Sequence, residues 1–134
     1  MSEISKLLNL SSEDLDTAEL LYKSQRYRSC ISRAYYAVYY VSQALLLSEG
    51  IETSTHRGVI KLINLHFVKT GRVNSNISKL LSDTYDLRQS GDYSTDFVAD
   101  EIVANRAIAD AKTFIAEIRK FLLDKDIGEV DVVR

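Results

Sequence analysis

Not one proline occurs in the 134 residues of this chain, and glycine occurs only five times. Those two residues ordinarily punctuate strands and tight turns, so their scarcity favours long, uninterrupted helices. Hydrophobic spacing agrees from the first segment onward. Ile4, Leu8, Ser11, Leu15, Ala18 and Tyr22 recur in alternating steps of four and three, the period of one buried helical stripe. Ser11-Ser12-Glu13-Asp14 resembles a capping signal at which a helix can restart, but the unbroken stripe favours one helix from about Ser2 to Ser24.

After the polar joint Ser24-Gln25-Arg26-Tyr27, a second helix runs to Glu49, with Gly50 placed as a left-handed stop. Ile31, Ala34, Tyr35, Ala37, Val38, Val41, Ala44 and Leu45 make it apolar around much of its circumference, which marks it as the central helix. Ala34, Ala37, Val41 and Ala44 form a small-residue face suited to close helix approach. Tyr35, Tyr36, Tyr39 and Tyr40 add four hydroxyls that need partners or water, in a core or at a subunit interface. Thr53-Ser54-Thr55 offers N-caps for a third helix that stops at Gly71. A fourth helix is expected from Ser75 or Asn76 to Ser90, and a fifth from Asp100 to Leu123. The reading is all-α: an up-and-down antiparallel bundle of about five helices over residues 1–123. The tail, 124–134, reads as a loose extension or a short contact strand.

Composition narrows the setting. Cys30 is the only cysteine, sits in an apolar helical run and reads as a buried free thiol. No segment approaches the length of a membrane span, and no basic, then apolar leader opens the chain, so a cytoplasmic protein is expected. The formal net charge is only −2, but it is unevenly spread: Tyr22 to Gly91 is cation-rich and both ends are acidic. That pattern allows an anion-binding face in the middle, or flanks that simply neutralise it by packing alongside.

Several chemistries lack their residues. No Glu-x-x-His stands on a helix for a di-iron site, no cysteine pair for zinc, and no glycine-rich phosphate loop, so neither metal nor cofactor is expected. What remains is a polar corner between Asp83 and Tyr93. Arg88 lies near the end of the fourth helix, Gly91 is expected to break that helix, and Asp92 and Tyr93 follow. A guanidinium there either favours the negative end of the helix dipole or grips two phosphate oxygens with its planar fork. If the helix persists, Asp92 lies four residues on and pairs with Arg88. Tyr93, a phenol with a pKa of about 10, is a poor proton acceptor at pH 7 but a sound hydrogen-bond donor. His56-Arg57-Gly58 opens the third helix, as a phosphate-contacting pair or as a solvent-exposed first turn. His66, within an apolar run, reads as a core or interface residue.

Four blocks in order, Arg33-Ala-Tyr-Tyr-Ala-Val-Tyr-Tyr, Leu45-Leu46-Leu47 to Gly50-Ile51, Thr55-His56-Arg57-Gly58-Val59 and Leu87-Arg88-Gln-Ser-Gly-Asp92-Tyr93, resemble the HEPN domain. The resemblance spans about Leu8 to Leu123 and is nearest to small prokaryotic and archaeal HEPN proteins. It implies a helical bundle that forms a homodimer, often encoded beside a minimal nucleotidyltransferase as toxin and antitoxin. Active HEPN ribonucleases carry an arginine, four to six residues and then a histidine, and cut RNA without metal through the ribose 2′-hydroxyl. Arg88 matches that arginine, while Tyr93 stands where the histidine would and lacks its near-neutral pKa. The resemblance therefore implies a binding corner for nucleotide or RNA phosphate at Arg88 and Tyr93, with Arg33, His56, Arg57 and Asp92 as further ligand contacts. The alternatives are a metal-independent ribonuclease using Arg88 with Tyr93 or His56, and a non-catalytic dimerisation module.

Overall fold

The structure, a computed structural model, describes residues 2–133, with side chains described as far as Lys125. Helix α1 spans Glu3–Lys23, α2 Tyr27–Leu47, α3 His56–Ile63, α4 Asn76–Tyr93 and α5 Glu101–Val133, and a π-helical turn, Asn64–Val68, extends α3. The chain is an all-α, up-and-down bundle, as its hydrophobic periods require.

Helix α2 packs against all four other helices and carries the densest run of buried residues, Cys30, Ile31 and Leu45 among them. Its small-residue face works as expected. Ala34, Ala37, Val41 and Ala44 are fully buried, and α1 comes close enough at Ala37 for Ser11 Oγ to donate to the Ala37 carbonyl at 2.6 Å. Burial pushes the Cys30 thiol up to about 11, which leaves it a protonated, inert core residue.

The helix ends follow local chemistry. Ser2 Oγ accepts from the Ser5 amide, Thr55 Oγ1 from the Gly58 amide, and Asp100 Oδ1 from the Val103 amide. Gly50 and Gly71 take φ of 72° and 74°, a left-handed turn that a side chain would resist.

Three expectations need correction. Gly91 does not break α4, which continues to Tyr93; Gly91 is buried, and its carbonyl accepts a hydrogen bond from Arg28 Nη1. A glycine inside a helix costs only about 1 kcal/mol relative to alanine, and tertiary contacts offset that here. The third helix is not uniform: it widens into the π turn from Asn64 before reaching Gly71. The backbone of α5 stays helical past Leu123 to Val133, rather than turning into an extension or strand, though its side chains beyond Lys125 lie outside the described residues.

Candidate functional site

Period 3.6 places Tyr35, Tyr36, Tyr39 and Tyr40 along one side of α2, and their rings form a continuous aromatic floor. Tyr35 and Tyr39 stack at 6.0 Å between centroids, and Tyr36 meets both edge-on, at 5.6 and 6.3 Å. Two other helices close over this floor. The first turn of α3, capped by Thr55, brings in His56, whose imidazole lies 4.3 Å from the Tyr39 ring centroid. Its Nδ1 is 2.6 Å from the Tyr35 hydroxyl oxygen. From α4 come Tyr85, 5.7 Å from the Tyr35 ring, and Arg88.

Arg88 is the centre of this arrangement. Its Nη2 donates to the Tyr36 hydroxyl at 3.0 Å, and its Cζ lies 5.3 and 5.7 Å from the Tyr36 and Tyr35 ring centroids. Both distances are within cation–π range. Its Nε is 2.9 Å from Asp92 Oδ2, an ion-pair contact that is not aligned as a hydrogen bond. A second guanidinium shares the floor: Arg33 Cζ sits 4.7 Å from the Tyr36 centroid and Nη1 is 3.3 Å from Asp14 Oδ1. Two guanidiniums and an imidazole thus surround the Tyr35–Tyr36 pair.

Titration follows from this packing. Burial, and then the charge of Arg88, hold the His56 imidazole below its ordinary value, so it is neutral at pH 7. Burial is also the main reason the Tyr35 and Tyr39 hydroxyls are pushed up, which keeps both as donors. The corner therefore holds two guanidiniums, each paired with one carboxylate, with neutral ring groups between them.

The expected site residues divide. Arg88, Asp92, Arg33 and His56 come together, and Asp92 pairs with Arg88 because the helix persists. Tyr93 is 73% exposed, with its ring centroid 5.8 Å from Arg88 Cζ: near the corner, at its rim. Arg57 is exposed beside His56 and enters none of the described contacts of the cluster. His66 is half-buried on the π turn, away from these rings.

Two contributors escaped the sequence reading. Tyr85 lies three residues before Arg88, a spacing that puts both on one helix face and could have flagged it. Arg28 carries no such signal. It donates to the carbonyls of Gly91, Ser94 and Phe97, satisfying the open end of α4 and tying down the loop after Tyr93. A cavity of about 560 Å³ elsewhere, lined by Glu3, Gln43 and Glu52 among others, has carboxylates that disfavour an anion.

The class is an all-α, five-helix bundle with a tyrosine-floored corner between α2, α3 and α4. The chain matches the HEPN domain over residues 4–121 and belongs to that family. A protein named "Putative toxin MJ0605" from Methanocaldococcus jannaschii is 35% identical over 120 residues, covering 90% of this chain and 89% of its own. A "UPF0332 protein" from Thermotoga maritima is 38% identical over 112 residues, covering 84% and 85%. The crystal structure of TT1696 from Thermus thermophilus aligns with a TM-score of 0.77 at 14% identity, over 90% of this chain and 99% of that one, a likeness of fold. Among the described residues no helix is long and apolar enough to cross a membrane.

Proposed function

We propose that this chain is the toxin-class member of a toxin–antitoxin-like pair, partnered by a nucleotidyltransferase, and that its Arg88 corner binds a phosphate of RNA or a nucleotide. We take it to act in the cytoplasm, and as a homodimer, the assembly that the HEPN resemblance implies. The observation that carries the binding reading is that Arg33 and Arg88, 55 residues apart in sequence, both lie over the Tyr36 ring. Two like charges repel, and holding them on one ring is favourable when an anion bridges them. Without a ligand, Asp14 and Asp92 supply the counter-charge. A phosphate would displace the exposed Asp92 carboxylate from a contact that lacks hydrogen-bond alignment, gaining a two-pronged guanidinium grip. The half-buried rings of Tyr36, Tyr39 and Tyr40 offer faces on which unpaired bases stack.

Fluorescence anisotropy with a short labelled oligoribonucleotide tests this. Arg88→Ala should weaken binding about tenfold or more, whereas Lys120→Ala, on the exposed face of α5, should bind as wild type. Equal affinity of Arg88→Ala and wild type would sink the reading.

The placement of His56 favours a second reading, metal-independent RNA cleavage. Solvent would take the 2′-hydroxyl proton as the ribose 2′-oxygen bonds to phosphorus. The P–O5′ bond would break, the departing 5′-oxygen taking a hydrogen bond from His56 and a proton from solvent, to leave a 2′,3′-cyclic phosphate. Cutting in the presence of a chelator, lost in both Arg88→Ala and His56→Ala, would establish it; intact RNA after prolonged incubation with wild type would exclude it.

A further inference from the structure

The tyrosine hydroxyls of the corner have unlike partners. Tyr36 accepts from Arg88 at 3.0 Å, Tyr39 from Gln43 Nε2 at 3.3 Å, and Tyr85 from Gln89 Nε2 at 3.0 Å. Each of those three faces a side chain that can donate. Tyr35 instead faces His56 Nδ1, at 2.6 Å, and is itself 1% exposed. A buried O–H needs an acceptor, and among the described contacts this ring nitrogen is the acceptor it has.

We infer that Tyr35 is a positioning residue: it donates to His56 Nδ1 and so fixes the neutral imidazole as the tautomer with its proton on Nε2. Were the proton on Nδ1, that N–H would donate to the Tyr35 oxygen, and the buried Tyr35 O–H would be left without an acceptor among the described contacts. Tyr39, packed 4.3 Å from the imidazole at 32°, holds the ring against rotation. The groups facing His56 are the rings of Tyr35, Tyr36, Tyr39 and Tyr85, together with the charge of Arg88. No carboxylate is among its described contacts, so nothing there favours an imidazolium. His56 then meets an anion as a hydrogen-bond donor through Nε2. In that tautomer its one lone pair is engaged by Tyr35, so neutral His56 has none left to take a 2′-hydroxyl proton. The use of the donor rests on the phosphate-site reading; the tautomer itself does not.

Long-range ¹H–¹⁵N spectra of the intact protein above the His56 titration decide the point, with His66→Gln assigning the two imidazoles. The expected wild-type pattern is an unprotonated Nδ1 and a protonated Nε2, with Tyr35→Phe shifting Nδ1 toward a tautomer mixture. A protonated Nδ1 in wild type would overturn the inference, as would an unchanged spectrum in a folded Tyr35→Phe. Should that variant fail to fold, the wild-type spectrum alone is decisive. In the anisotropy assay Tyr35→Phe should weaken binding about two- to tenfold with Arg88 intact. If wild type shows the Nε2–H tautomer yet binds neither RNA nor nucleotide, the phosphate reading falls and the role of Tyr35 stands.

Discussion

Arg72 and Arg88 make almost the same kinds of contact and end in different situations. Each guanidinium lies over aromatic rings, Phe67 and Phe121 for Arg72, and Tyr35, Tyr36 and the exposed Tyr93 for Arg88. Each has a carboxylate within 2.9 Å, Glu49 and Asp92 respectively. The rings of Arg72 are phenylalanines, edge-to-face at 5.7 Å, with no polar atom to offer. Its carboxylate is aligned and shared: Arg72 Nη1 donates to Glu49 Oε1 at 2.8 Å, and Lys125 binds the other oxygen while also donating to the Ser48 carbonyl at 2.7 Å. The end of α2, the turn after α3 and α5 are thereby locked together. Around Arg88 the rings carry hydroxyls, an imidazole stands close by, and the carboxylate is a neighbour on the same helix. The contacts of Arg72 form a strut across three segments, whereas Arg88, whose Nε is not aligned with Asp92, is the guanidinium for which we propose a ligand.

The sharpest way to break that comparison is to remove each guanidinium in turn. Arg72→Ala should lower the unfolding free energy by about 1–2 kcal/mol, from a cation–π contact and a partly exposed ion pair that bridges three segments. Its RNA affinity should match wild type. Arg88→Ala should show the reverse, a large binding loss with a smaller change in stability, since its ion pair is local to α4 and only its contacts with Tyr35 and Tyr36 tie it to α2. Urea unfolding set beside anisotropy reads both, and a larger stability loss in Arg88→Ala than in Arg72→Ala would erase the distinction.

A smaller effect should appear in acid. Hydrogen bonds from Arg72 and then Lys125 hold the Glu49 carboxyl down to about 2, against an ordinary 4.5. A depressed carboxyl stabilises the fold above its ordinary value, and that contribution is lost as pH falls from 4.5 toward 2. Glu49→Gln should therefore start less stable near neutrality and lose less on acidification than wild type. Parallel urea midpoints for the two proteins across that window would remove Glu49 from the strut.

How much of this was legible in the sequence depends on the range of the interactions involved. The helices were, because hydrophobic period, the Thr55 cap and the stops at Gly50 and Gly71 act within a few residues. Gly91 misled because glycine permits a stop without enforcing one, and Arg28, 63 residues away, supplies the bond that favours continuing. Arg88 could be singled out by its motif and by the Asp92 spacing. That His56 shares its corner could not, because α2 brings them together through tyrosines that, read alone, fit a core or an interface equally well. The continuation of α5 past Leu123 had no glycine or proline to argue for or against it until Gly128.

The smallest expected effect joins the two halves of the corner. His56 sits below its ordinary value first through burial and then through the charge of Arg88. Removing that charge in Arg88→Ala leaves the burial, so the imidazole should titrate higher than in wild type and still below an unburied histidine. The sign for stability follows. A base whose folded value is depressed favours the fold above its unfolded value, and that contribution is lost as pH falls through the window between the two. With the window narrowed, Arg88→Ala should lose less stability than wild type on acidification through the imidazole range. An NMR titration of the His56 ring protons in both proteins measures the shift directly, and Arg72→Ala supplies the contrast, since its charge is not among the causes acting on His56. If His56 titrates identically with and without Arg88, the two groups do not share an electrostatic site, and the corner reduces to an arginine on an aromatic floor, chemically the same thing as Arg72.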